Sequence, residues 1–286
     1  MKIKYLTKQA ILKFIDAALK EDIGDGDHST LAAIPEELQQ EAKLLIKSDG
    51  VIAGLQLAEW IFKRFDAELE VDLLKEDGDI VSEGEIGLIV KGKARSILST
   101  ERLVLNCMQR MSGIATYTRD LADMIKHTHA KLLDTRKTGP NFRICEKWAV
   151  SIGGGENHRF GLYDMVMLKD NHVDYAGGIK EAVKRTKKYL AEKDKDLKIE
   201  VETRNLDEVK DALEAGGVDV IMLDNMLPSA MREAIQLIGG KCKTEASGGI
   251  TEKNIKEMAE TGVDYISVGA LTHSYTSLDI SLKAVK

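Results

Sequence analysis

Cysteine is scarce in this chain: Cys107, Cys145 and Cys242 form no CxxC pair and take no metal-ligand spacing with the histidines. That excludes a disulfide-stapled scaffold and a zinc site, and the three read as reduced core or helix residues. Positive charge is short as well. With 41 Lys and Arg against 47 Asp and Glu the formal net charge is -6, which gives no bulk attraction to nucleic acid or to an acidic membrane. Any cluster of cations must therefore be local and purposeful. Long apolar runs are missing too: no stretch approaches membrane-spanning length, and residues 1–24 lack the apolar core and small-residue cleavage site of a signal peptide. The expected compartment is the cytoplasm, with no membrane partner.

What is present is a globular composition. Of 286 residues, 43% are apolar and 31% charged, enough for a full core under a solvated surface and for one or two domains. From Thr7, an N-cap by type, Ile11, Phe14, Ile15, Ala18 and Leu19 recur at helical spacing. The segment Asp22 to Thr30 holds Asp25 and Asp27, but Thr30 stands where a calcium loop needs glycine and Pro35 where its exiting helix would run. A tight capped turn is expected there. Residues 40 to about 95 carry short apolar runs, Ala42 to Ile46 and Ile86 to Val90, punctuated by glycines, which predicts a small β-rich layer. Its Asp77-Gly78-Asp79 and Glu83-Gly84-Glu85 turns resemble those of biotinyl carriers, without the Met-Lys-Met setting such carriers modify.

From Ser99, Val104, Cys107, Met108, Met111 and Ile114 form a helical stripe with Arg102, Asn106 and Gln109 opposite, and Gly113 is expected to bend or end that helix. Strand-like runs then alternate with helices: Leu132-Leu133, Met165 to Leu168, Ile199 to Val201, Val220 to Leu223, Thr244 to Ala246 and Tyr265 to Val268. This is the pattern of a parallel α/β layer or barrel. Asn205 with Glu208, Pro228 and Thr251 mark helix entries, the last helix running to Thr261.

Polar or glycine residues follow every one of these strands: Thr135 to Thr138, Lys169 to His172, Glu202, Asp224-Asn225, Ser247-Gly248-Gly249 and Gly269. In a parallel barrel the strand C-termini open on one face, so these groups converge. The glycines of the turn at 247–251 and of Gly269-Ala270 let backbone N–H groups approach a phosphate. Arg136, Lys137, Arg159 and Lys169, with His158, form a cationic set beside Gly153-Gly154-Gly155. A solvated charged face is the plainer reading, but these charges lie at strand ends rather than along a helix. Arginine suits a carboxylate and lysine a phosphate. Glu202 and Asp224 either pair with neighbouring lysines or orient Mg²⁺ and its waters on a pyrophosphate. His158 is either a satisfied core histidine or a ligand, and Trp148 and Met167 read as packing.

The ordered motifs Asp134-Thr135-Arg136-Lys137-Thr138, Gly153-Gly154-Gly155-Glu156-Asn157-His158-Arg159, Leu168-Lys169-Asp170-Asn171-His172, Leu223-Asp224-Asn225, Glu245-Ala246-Ser247-Gly248-Gly249-Ile250 and Ser267-Val268-Gly269-Ala270-Leu271-Thr272-His273-Ser274 carry a signature. With Glu21-Asp22-Ile23-Gly24 and Glu101-Arg102, they resemble the quinolinate phosphoribosyltransferase family over essentially the whole chain. The resemblance implies an α/β protein: an N-terminal α/β sandwich over 1–112, an incomplete parallel α/β barrel over 113–272, and a segment over 273–286 that packs back on the first domain. It implies phosphoribosyl transfer to quinolinate with decarboxylation, with Mg²⁺ as cofactor, in a head-to-tail homodimer. By the same resemblance Arg136, His158, Arg159 and Lys169 bind the pyridine dicarboxylate, joined by the partner subunit's Arg102. Lys137, Glu202, Asp224, Ser247, Gly248, Gly249 and Gly269 form the phosphoribosyl pyrophosphate side. Lys137, Lys169, Glu202 and Asp224 carry catalysis, the two acids holding the metal through water. Gly139 departs from the family, which commonly has a second threonine before Pro140. A barrel relative associated with molybdate transport is an alternative, disfavoured by retention of Arg102 with the full cation set. A non-catalytic phosphate sensor is another, disfavoured because two acids repel phosphate unless a metal intervenes.

Overall fold

The computed structural model of the chain describes residues 4–285. Residues 1–3 and 286, at the outer ends of the expected domains, lie outside the described residues. Helix α1 (Lys8–Ile23) starts where its cap predicts: the Thr7 hydroxyl accepts the Ala10 N–H at 3.2 Å, and Ile11 and Ile15 are fully buried. The turn that follows is shorter than expected, because the Asp27 carboxylate accepts the Thr30 N–H at 3.0 Å and opens a second helix, α2 (His28–Ala33).

The layer beyond holds β1 (Gln39–Ile46), β2 (Gly50–Val51), α3 (Leu55–Phe65), β3 (Glu70–Leu73), β4 (Ile80–Val81) and β5 (Ile86–Lys93). Ala42, Leu44 and Ile46 alternate inward on β1, and their register with β5, Leu44 opposite Leu88 and Ala42 opposite Val90, builds the core face of the sheet. Helix α3 adds a helix within the β-rich stretch. Leu57, Ala58, Ile61 and Phe62 are fully buried at helical spacing, and the first free N–H, on Leu55, is taken at 2.8 Å by Asp77, which is remote in sequence. Helix α4 (Ala94–Ile125) runs for 32 residues and does not end at Gly113. Gly113 is there for space: a Cβ would collide with the Thr276 carbonyl. Helix α5 (Arg143–Ile152) follows β6 (Lys131–Leu133).

Then come β7 (Val166–Leu168), α6 (Asp170–Ala176), α7 (Ile179–Glu192), β8 (Ile199–Thr203), α8 (Leu206–Ala215), β9 (Val220–Asp224), α9 (Pro228–Ile238), β10 (Lys243–Ser247), α10 (Ile255–Ala259), β11 (Tyr265–Ser267) and α11 (Ala270–His273). The strands pair in parallel in the order β6-β11-β10-β9-β8-β7. From β7 onward each strand neighbours its successor, and the last, β11, neighbours the first, β6, so a single seam, between β6 and β7, leaves the ring incomplete. This is an incomplete α/β barrel. Asn205 caps α8 through the Glu208 N–H at 3.0 Å and Pro228 opens α9, as expected. Thr251 caps no helix: it sits in a turn, its N–H bonded to Asn254, and α10 is capped by Asn254, three residues later than expected.

Partners across a parallel ladder share a face, so the register sorts the side chains. Met167 pairs with Glu200, Glu202 with Met222, Met222 with Glu245, and Asp224 with Ser247. One face therefore carries Glu200, Glu202, Asp224, Glu245 and Ser247, while Val201, Ile221, Leu223, Ala246 and Ile266 lie fully buried on the other. Strand β12 (Ile280–Ala284) pairs antiparallel with β1, giving a sheet ordered β12-β1-β5-β3. Two compact units result: one of residues up to Arg119, Thr138–Gly154 and from Leu271 onward, the other of Asp120–Lys137 and Gly155–Ala270.

Candidate active site

Nearly all of the sequence-derived site residues fall in the second unit, at or just past strand C-termini. Asp224 and Ser247 are the last residues of β9 and β10, and Glu202 the penultimate of β8. Arg136 and Lys137 follow β6, and Lys169 follows β7 as the N-cap of α6. The segment carrying His158 and Arg159 is tied to β6 by Asp134, which is fully buried and accepts the Asn157 amide at 2.6 Å and the His158 N–H at 2.9 Å.

The electrostatics separate into a basic and an acidic side. Arg159 is part-buried, its guanidinium donating to the Met165 carbonyl at 3.3 Å. Burial, and then repulsion from Arg136, lower its pKa, which marks two like charges gathered in one place. Lys169 Nζ stands 3.8 Å from Glu202 Oε2. Burial raises the Glu202 carboxyl, Lys169 pulls it back and Asp224 pushes it up again, so the two acids feel each other.

The glycines at 248 and 249 have left-handed backbones, φ +90° and +60°. At 248 the close neighbour is Asn225, whose side chain occupies the place of a Cβ. Asn225 is itself left-handed, φ 54°; its N–H donates to the Ser247 carbonyl at 2.9 Å and its amide to Asp224 at 2.7 Å. It therefore links the acid at the end of β9 to the glycine turn after β10. Gly269 lies directly before α11, with β11 behind it. Arg102 belongs to the first unit, exposed on α4 and without a hydrogen bond or ion pair among the described residues.

Sequence reasoning missed four residues here: Asp134, Glu200, Asn225 and Glu245. The two glutamates were read as strand and motif positions. Their signal was an acid inside a run otherwise destined for burial. Both carboxylates meet the ring of His158, at 2.9 Å from Glu200 and 3.5 Å from Glu245. Burial opposes a proton on this group, but the two carboxylates outweigh it and push the pKa up to about 10.

The domain pattern of the chain agrees with one family. Its segment 114–283 matches the quinolinate phosphoribosyl transferase C-terminal domain, and 27–112 matches the N-terminal domain. The chain belongs to the quinolinate phosphoribosyltransferase family. Within that family it is 50% identical to a chloroplastic carboxylating nicotinate-nucleotide pyrophosphorylase of Oryza sativa subsp. japonica, over 94% of this chain and 76% of the rice protein. It is 43% identical to a probable carboxylating nicotinate-nucleotide pyrophosphorylase of Bacillus subtilis, over 94% of this chain and 92% of that one. The crystal structure of NadC from Streptococcus pyogenes superposes with a TM-score of 0.90 at 40% identity, covering 98% of this chain and 99% of that one. Among the described residues no helix is long and apolar enough to cross a membrane.

Proposed function

We propose that the chain transfers phosphoribose from phosphoribosyl pyrophosphate to quinolinate, giving nicotinate mononucleotide, pyrophosphate and CO₂, a step of de novo NAD synthesis. What carries the reading is one sheet that has Arg136 and Lys137 just past β6, Lys169 just past β7, and Glu202 and Asp224 at the ends of β8 and β9, with His158 and Arg159 in the segment tied to β6. A dicarboxylate and a pyrophosphate both demand such cations, and a metal-bound phosphate gives the acids a use as well. On this reading Arg136, His158, Arg159 and Lys169 form the dicarboxylate pocket, and Lys137 with Ser247, Gly248, Gly249 and Gly269 the phosphate side.

The pyridine nitrogen forms its bond to ribose C1 as the C1–O bond breaks and its electrons leave on pyrophosphate. Lys137 and the backbone N–H groups of the glycine turns steady that growing charge. The alkylated ring nitrogen then accepts the electrons released as the adjacent carboxylate departs as CO₂, and the ring carbon takes up a proton. Arginines hold the ring rather than react with it. Glu202 and Asp224 fit Mg²⁺, being hard oxygen donors on one face of neighbouring strands. When bound, Mg²⁺ supplies further neutralisation of the pyrophosphate. The exposed, unpaired Arg102 suits donation to a second copy in a homodimer. The free cysteines Cys107, Cys145 and Cys242 suit a reducing compartment, the cytoplasm in this reading. Incubation with phosphoribosyl pyrophosphate and Mg²⁺ should release pyrophosphate and CO₂ with quinolinate and neither with nicotinate. Release with nicotinate, or with no pyridine present, would overturn the assignment.

A further inference from the structure

Asn225, the first residue past β9, has no part in the reaction just described. Among the described residues it is one of three non-glycine positions with a left-handed backbone, beside Asn141 and Asp194, and of these it alone directly follows a barrel strand. A side chain in that region of backbone space costs free energy, and the conformation persists where neighbours enforce it. Here the Asn225 N–H donates to the Ser247 carbonyl at 2.9 Å, one step beyond Asp224 and Ser247, the last paired residues of β9 and β10.

The left-handed turn lays the side chain against Gly248, where it fills the space a Cβ would need. Glycine at 248 therefore makes room for Asn225 as well as for a phosphate. From that place the Asn225 Nδ2 amide donates to Asp224 Oδ2 at 2.7 Å. Among the described residues the Asp224 carboxylate makes no other hydrogen bond or ion pair, so its Oδ1 is left open. Asparagine meets three demands here: it tolerates a left-handed backbone, it donates to a carboxylate, and it carries no charge. A lysine would donate too, but it would neutralise the acid. The amide fixes the carboxylate and leaves its charge for a cation.

We propose that Asn225 is a positioning residue of the phosphate side: packed against Gly248, it holds Asp224 by Oδ2 and so presents Oδ1, in one orientation, to the waters of a pyrophosphate-bound Mg²⁺. The inference rests on the reading of Asp224 as a metal-holding acid. Asn225 acts through Asp224 and not on the substrate.

The first test uses neither metal nor substrate. In nitrogen-15 spectra of the asparagine-labelled full chain, Asn225→Gly or Asn225→Asp identifies the signal. One Nδ2 proton of Asn225 should lie downfield of ordinary amides and exchange slowly, and Asp224→Ala should abolish both features. A wild-type Asn225 amide that exchanges like a free one overturns the proposal. Asn225→Gly keeps the backbone and removes the amide. It should raise KM for phosphoribosyl pyrophosphate and the half-saturating Mg²⁺ concentration about tenfold each, with KM for quinolinate within about twofold. A merely structural role moves both KM values together, and that outcome sinks the idea. In an Asp224→Ala background, Asn225→Gly should change the calorimetric affinity for pyrophosphate with Mg²⁺ by less than about twofold, because nothing is left to position. Additive losses would show that Asn225 acts by another route. If Asn225→Gly does not fold, the spectra still decide. Should the wild type turn over no quinolinate, the proposed function fails, while the spectra and the pyrophosphate titrations judge Asn225 separately.

Discussion

Lys169 keeps 51% of its side chain exposed, whereas Glu202, 3.8 Å away, keeps only 11%. Solvent screens the lysine, so its loss costs less than that of a buried ion-pair partner. Lys169→Ala should weaken quinolinate binding about tenfold, or about 1.4 kcal/mol, and leave phosphoribosyl pyrophosphate binding within about twofold, as read by calorimetry with each ligand. The same variant makes a pH prediction. The Glu202 carboxyl is raised above its ordinary 4.5, chiefly by burial, and Lys169 is the larger of the two influences that lower it, ahead of the Asp170 N–H. If its ionised form is needed, activity falls as pH drops through that raised value, and removing Lys169 should move the acid limb of the pH–rate profile upward. A limb that stays or moves down would separate Glu202 from catalysis.

At the scale of elements, α5 holds an acid with an opposite consequence for stability. Glu146 is 1% exposed and accepts the Gly139 N–H at 3.0 Å, fastening the loop before the helix at the position where the family commonly has threonine. Burial first, against the pull of the Gly139 bond, pushes its pKa from 4.5 to about 6. Below pH 4.5 folded and unfolded chains are both protonated here. As pH rises toward 6 the unfolded chain ionises first, so stability drops by about 2 kcal/mol, and the loss persists above. Glu146→Gln can still accept the Gly139 bond without ionising. Its melting temperature should exceed wild type at pH 8 and match it at pH 4; a difference that ignores pH would show that the carboxyl ionises as freely in the fold as outside it.

For the whole molecule the question is whether one chain completes its own site. Arg102 is exposed on α4 without a partner among the described residues, and Lys137 is exposed just past β6. If the site takes the partner subunit's Arg102, Arg102→Ala and Lys137→Ala should each be nearly inactive alone. Co-refolded, about half the dimers are mixed, and each mixed dimer has one doubly damaged and one intact site. Activity should recover to about a quarter of wild type. No recovery, with labelled subunits shown to exchange, would place Arg102 in its own chain's service or in none.

Local sequence determined much of this protein. Each barrel strand is a short apolar run with its polar group at the C-terminal end, and Thr7, Asn205 and Pro228 declared helix starts that the fold keeps. The cation set was legible because charges at strand ends in an acidic chain have few structural uses. Tertiary structure decided the rest, wherever a residue answers to a neighbour remote in sequence. Gly113 looks like a helix breaker, yet α4 continues because the chain near Thr276 needs the space. Helix α3 draws its cap from Asp77 across an intervening strand. Glu200 and Glu245 are single acids in separate strands, and only the parallel register turns both toward His158, since pairing across a sheet sets which residues share a face.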